Sequence, residues 1–541
     1  MKKLKINGWL GLSTIFMLMI LIPNIDVILH LFKEPNENWY HIKEYLLKDY
    51  ILNTTIIAVA TGILTMIIGT SLAWIVSAYD FPMRKFFKWA LILPLSIPPY
   101  IAAYTYAGML SYTGVVQAFF RNNLGIQPDP KYFDIMSIPG TIFIFTIFLL
   151  PYVYMVVKSY LEKQSASLIE NARLLGENSL GVFLKVVIPI SRGVIIAGVT
   201  LVVLEVLSDY GVVSYFGIPT FSTAIFSSWF NMGDIDSAIR LASILLIVVF
   251  IIMTSEKFLR GRKRYSSTNT KIRPLARKKL NRFYGSLAFI YCFIILALGF
   301  IIPTMQLVSW SIMTYKDILS PQFIVLIKNS ILVSIISSLI VIVMALIIAN
   351  YTRINNGIIS KLYSKITLLG YSIPGAVVSI TVILFFVDLD RLLSPIYRSI
   401  NPNSPTLVLS MSIVMLIFAY TIRFLAVGFQ SIEGGFDKIG NKFFEASRTL
   451  GYTTTKTFFF VDLPMLKPAI LSGFALVFVD IIKELPLALT LRPFNFHTLA
   501  TKVFEYANDE MLFEAAVPSL IIIFVSFLAI FTLYKVVDKE D

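Results

Sequence analysis

The chain has 541 residues, 57% of them hydrophobic and only 14% charged, with a formal net charge of +14. A soluble domain carries nearer a quarter charged residues, and here the apolar residues come in blocks of the ~20 that a bilayer span needs. A soluble globular enzyme is excluded, and an all-α polytopic membrane protein is expected. The basic balance does not call for nucleic acid as a partner, because its largest cluster lies between spans.

The N-terminal stretch MKKLKINGWLGLSTIFMLMILIPNIDVILHLF opens like a secretory signal. Its apolar run is longer than a signal core and no small-residue cleavage site follows, so it reads as an uncleaved first span. About twelve spans are expected in all, near 8–32, 51–78, 87–110, 137–158, 186–207, 239–257, 284–310, 327–351, 364–387, 404–426, 464–482 and 514–535. The basic stretches MKKLK, MRKFFK and EKFLRGRKRYSSTNTKIRPLARKKLNR fall on one side, which the positive-inside rule makes cytoplasmic. Both termini and the loops at about 159–185 and 427–461 are then cytoplasmic.

The chain repeats itself. Ser96–Pro98 returns as Ser372–Pro374, and Asn53 as Asn329, at offset 276; Glu170 in ENARLLG returns as Glu445 in EASRTLG, and Pro189 as Pro464, at offset 275. Residues 1–258 read as a first six-span repeat, 259–282 as a basic cytoplasmic linker and 283–541 as a second six-span repeat. Six spans is an even number, so the repeats are parallel, related by a pseudo-twofold axis along the membrane normal.

Two loops carry the strongest local pattern. SASLIENARLLGENSLGVFLKVVIP and GNKFFEASRTLGYTTTKTFFFVDLP each read as a helix with a Glu and small residues, a Gly stop, and a second apolar stretch ending at proline. Gly176 and Gly451 fit the position just past a helix end, where a left-handed residue costs least without a Cβ. Ala172, Ala446 and Ser447 leave one helix face open to close approach.

This pattern resembles the EAA…G loop of binding-protein-dependent ABC importer permeases. On that resemblance the matching residues are Glu170, Ala172 and Gly176, and Glu445, Ala446 and Gly451, with Asn171 and Ser447 standing where the family has Ala. The resemblance implies that each loop is a coupling helix docked in a cytoplasmic ATPase. LPLSIPPYIAAYTY, SDYGVVSYFG and WFNMGD are similar to the fused, two-half permeases of ferric iron importers. Two copies of an ABC ATPase, an extracytoplasmic substrate-binding protein and a bacterial inner-membrane location follow as expectations. No GxxxxGK followed by Ser or Thr occurs, so ATP and its hydrolysis are expected on the partner ATPase, with no cofactor and no catalytic residue in this chain.

The last feature is a set of acids inside apolar runs. LEVLSDYG places Glu205 and Asp209 four residues apart, on one helix face. LVFVDIIKELPLALT places Asp480 and Glu484 at the same points, offset 275. Such residues cost about 2.5–3.5 kcal/mol each at mid-membrane. Around a pseudo-twofold axis they could form a ring of four carboxylates, a common way to favour cations. Ferric iron prefers carboxylate and phenolate oxygen, and Tyr210 and Tyr215 lie beside the first pair. Two blander readings stand beside this one: Lys483 pairs with a neighbouring acid in a folding or gating role, or the acids sit at the interface. Other cargoes, thiamine or sulfate, keep the same machine, although acids repel an anion. A proton-coupled secondary transporter would use the acids as relays but has no role for the paired loops. An intramembrane enzyme lacks a metal-protease motif, and the single cysteine, Cys292, reads as packing.

Overall fold

The computed structural model describes residues 8–127, 129–163, 167–260, 277–355, 357–370 and 373–538. It is helical nearly throughout. The strand pairing among the described residues is one two-residue parallel bridge, Tyr79–Asp80 with Lys278–Lys279, which ties the end of the basic linker to the first half. Most of that linker, 261–276, and the MKKLK stretch lie outside the described residues.

Nine helices are long and apolar enough to cross a membrane: Gly8–His30, Glu37–Ala78, Pro130–Glu162, Ser179–Ser208, Ile235–Leu259, Arg282–Ile318, Pro321–Ile354, Ile413–Ile439 and Leu512–Thr532. Two pairs qualify only together, Arg84–Ser96 with Pro99–Leu124, bent by 88°, and Thr454–Met465 with Lys467–Ile482, bent by 73°. The count is therefore nine, or up to eleven, among the described residues rather than twelve. Proline explains the first bend. In LPLSIPP, Pro94, Pro98 and Pro99 remove three amide donors; Ile97 is extended (φ −100°, ψ 112°) and the helix restarts with Pro99 at its first position, where the missing N–H costs nothing. The expected span at 364–387 falls instead on two helices, Ile358–Leu369 and Gly375–Ile400. The second carries Asp388, Asp390 and Arg391 in mid-course.

The helices cross at small residues, as they must in lipid, where apolar burial does not drive helix association. A Cβ at Gly69 would lie 2.9 Å from Val153 Cβ, and one at Gly198 would lie 3.1 Å from Val153 Cα. Three helices thus meet at Val153. The second half repeats the crossing at offsets 275 and 276 with Ala345, Gly428 and Gly473; a Cβ at Gly473 would lie 3.0 Å from Ser431 Cβ. Outward, Val59, Ile63 and Ile67 stay exposed along one face of the helix Leu47–Ala78, the face left for lipid.

Each half lends its first helix to the other. Gly8–His30 packs on helices of the second half: Thr14 shares a 2.7 Å hydrogen bond with Tyr363, and the Trp9 ring lies 4.8 Å from Phe458. In return Tyr291 shares a 2.8 Å hydrogen bond with Ser71, and Tyr106 Oη donates to the Leu298 carbonyl at 2.6 Å.

Candidate functional site

The intramembrane acids stand where each half interrupts a helix. Ile188–Ser208 stops at Asp209, whose backbone is extended (φ −72°, ψ 131°), and a short helix, Gly211–Tyr215, follows. Asp209 Oδ1 accepts from the Val212 amide at 2.8 Å. In the second half Lys467–Ile482 stops and Pro486–Leu491 follows. Glu484 Oε1 accepts from the Leu487 amide at 3.3 Å, the same bond at offset 275. An amide left open by a helix break needs a hydrogen-bond partner. The carboxylates of Asp209 and Glu484 meet that need as caps.

The two breaks face one cavity of ≈ 80 Å³, room for several water molecules. Glu205, Asp209 and Glu484 line it, together with Arg423, Lys483 and the proline turn at Pro98 and Pro99. The expected ring of four carboxylates is thereby corrected. Asp480 is not in the lining; it pairs with Lys483, Nζ to Oδ1 at 2.8 Å. Arg423 Nη1 lies 3.6 Å from Glu484 Oε1. Burying four like charges together is prohibitive, and cations from the second half offset it. The result is a mixed-charge cavity with three acids and two bases in its wall.

Tyr210 and Tyr215 do not line the cavity either. The Tyr210 ring stacks on Phe226 at 3.9 Å and lies 5.8 Å from Phe504, while Tyr215 packs beside Phe216. Among the described residues no group of three or more His, Cys, Asp or Glu is set to hold a metal ion. Arg423 is the residue that sequence reasoning missed. Its signal was present: a lone arginine in the apolar run MLIFAYTIRFLAVGF, and an ionisable residue in a span points to function by default.

The two loops have one geometry. Glu170 and Ala172 lie on the helix Ser167–Leu174, and Glu445 and Ala446 on Lys442–Thr449. Gly176 and Gly451 take φ +88° and +87°. The Glu177 amide donates to the Ala172 carbonyl at 3.1 Å and the Tyr452 amide to the Ser447 carbonyl at 3.2 Å, the paired bonds of a left-handed helix stop. Asn178 Oδ1 then caps the Gly181 amide at 2.7 Å, and Thr453 Oγ1 the Lys456 amide at 3.2 Å. A five-residue π turn follows in each, Phe183–Val187 and Phe458–Asp462. Leu174, Leu175 and Leu450 are 84%, 85% and 78% exposed at the loop tips. Residues 164–166 of the first loop lie outside the described residues.

Comparison with known proteins agrees with the repeat. The family model described as "binding-protein-dependent transport system inner membrane component" matches twice, over residues 69–264 and 341–540. The chain is 24% identical over 497 residues to the Fe(3+)-transport system permease protein FbpB 2 of Haemophilus influenzae, covering 91% of this chain and 90% of that one. It is 22% identical over 449 residues to the putative ferric transport system permease protein FbpB 1 of the same organism, 79% of this chain and 68% of that one. It is 28% identical over 182 residues to the spermidine/putrescine transport system permease protein PotB of Escherichia coli, 34% of this chain and 65% of that one.

Proposed function

The chain belongs to the binding-protein-dependent transport system inner membrane components, and from that premise we propose that this fused ABC importer permease carries ferric iron. The observation that supports iron most is the similarity to a ferric permease across both halves, 91% of this chain. The acidic lining of the cavity agrees with a cationic cargo. A lining without a metal-ligand cluster among the described residues suits an ion that must leave as readily as it enters. Polyamine is the second reading, favoured by the similarity to PotB, since a polycation also suits three carboxylates.

In this reading both termini and both loops are cytoplasmic, residues 1–258 and 283–541 are the two permease repeats joined by the 259–282 linker, and the loops dock two copies of a separate ATPase that binds ATP. Glu170, Ala172, Gly176, Glu445, Ala446 and Gly451 shape the docking helices. A binding protein delivers cargo on the opposite side. In the first half the loop leads through its π turn directly into the helix that ends at the acids, Ile188–Ser208, of 21 residues, about 30 Å of rigid rod. Movement of a loop therefore reaches Asp209 without a soft joint, and moves the helix break that forms the cavity wall.

Reconstituting the permease with its ATPase and binding protein tests the cargo. ATP-dependent uptake of radio-iron that excess spermidine does not compete away supports ferric import. Spermidine uptake with no iron uptake replaces it with the polyamine reading.

A further inference from the structure

Arg423 has hydrogen-bonding capacity to spare. It is 7% exposed and lines the cavity. Glu484 Oε1 is 3.6 Å from its Nη1, near enough to balance charge but beyond hydrogen-bond reach. Its Nε and Nη1 have no hydrogen-bond partner among the described residues, and a buried donor left unfilled costs free energy.

The seat of this arginine is built. Gly375 stands, at offset 276, where the first half has Pro99. A Cβ at Gly375 would collide with Arg423 Nη1, so the missing side chain is what lets the guanidinium in. Gly375 is also the first residue of the 26-residue helix Gly375–Ile400, whose N-cap, Pro374, supplies no side-chain cap. The first amide bonded back into that helix is Val378, to the Pro374 carbonyl. The start of this helix and a guanidinium with open N–H groups therefore share one corner. Each alone favours an oxyanion.

A bare cation gains nothing from that corner. A bare oxyanion is repelled by Glu205, Asp209 and Glu484. A cargo carrying both charges satisfies both sets of groups. Resting on the ferric-iron reading of this cavity, we infer that the iron crosses with a small oxyanion, a carboxylate or a phosphate, still bound to it. Arg423 recognises the oxyanion while the carboxylates of the wall face the metal.

The test is a double-label uptake by proteoliposomes holding the full complex and its binding protein. Radio-iron is supplied with radiolabelled citrate in one arm and radiolabelled phosphate in the other. One oxyanion should enter with the iron at a fixed ratio, only with ATP, and the arm in which it does so names its class. Arg423→Gln should lower the oxyanion-to-iron ratio about tenfold, the worth of a charge-assisted hydrogen bond. Arg423→Lys, which keeps the charge but not the fork, should lower the ratio less, and it carries the test if the Gln variant does not assemble. Iron entering with neither label overturns the inference, as does an unchanged ratio in both variants. No iron uptake by the parental complex overturns the cargo reading instead, and this inference with it.

Discussion

The helix leading to Glu205 runs unbroken from Ser179 to Ser208, whereas its repeat mate is bent by 73° between Met465 and Lys467. Pro468 stands in the second half where the first has Gly193, in addition to the shared proline pair Pro189 and Pro464. The walls of the cavity differ as well. Phe148, Ser208 and Pro99 of the first half correspond to Arg423, Lys483 and Gly375 of the second. The loops, by contrast, share the bonds of their helix stop and the cap that follows, down to the glycine φ angles of +88° and +87°. A duplicated chain has kept its two handles alike and let its two walls diverge. The acids recur in both halves, and the two cations that line the cavity beside them, Arg423 and Lys483, both come from the second.

The largest effect should come from the part that is the same. Proline at Gly176 or at Gly451 cannot take the positive φ and destroys the helix stop. Either substitution should abolish most transport and reduce recovery of the ATPase with the permease, with the same severity. A loss confined to one of the two would show that the handles are not equivalent.

The walls should respond unequally. Asp480→Asn strips Lys483 of its partner at 2.8 Å, a loss of up to about 3 kcal/mol for a largely buried pair, read as a lower unfolding temperature and poorer membrane yield. Adding Lys483→Gln should restore much of it. Glu205→Gln, the repeat mate of that change, should cost less, because it leaves the Asp480–Lys483 pair in place. Equal losses at the two positions would dissolve the asymmetry.

A smaller and symmetric effect is expected at the caps beyond the breaks. Thr220 caps the Thr223 amide and Thr498 the Thr501 amide, each in a reciprocal capping box. Beside them the Phe221 amide donates to Thr54 and the Leu499 amide to Ser330, both at offset 276 between acceptors. Thr220→Ala and Thr498→Ala should each cost about 1 kcal/mol in unfolding measurements.

Much of this was legible in the sequence because it is written in local pattern. Blocks of apolar residues gave most spans, and a shared offset gave the repeat. The helix stops at Gly176 and Gly451 follow from a left-handed requirement that one residue type meets best. The span count was not legible, since LPLSIPP is apolar enough for a membrane yet bends there by 88°, and hydropathy does not register a lost amide. The acids were seen, but their capping of Val212 and Leu487 depends on where the helix breaks. Arg423 meets Glu484 across 61 residues, and Tyr210 stacks between rings from different halves. Such long-range pairings carry no local signature.

We propose that the acids of the first-half wall carry the cation. Glu205→Gln combined with Asp209→Asn removes both charges yet keeps shape, and Asn still caps the Val212 amide. Ferric uptake by proteoliposomes with the full complex is the direct measurement. Uptake should fall to the level without ATP, while membrane yield, ATPase recovery and basal ATP hydrolysis persist. Uptake at the parental rate in the doubly neutralised protein would contradict the account and leave these acids as caps alone.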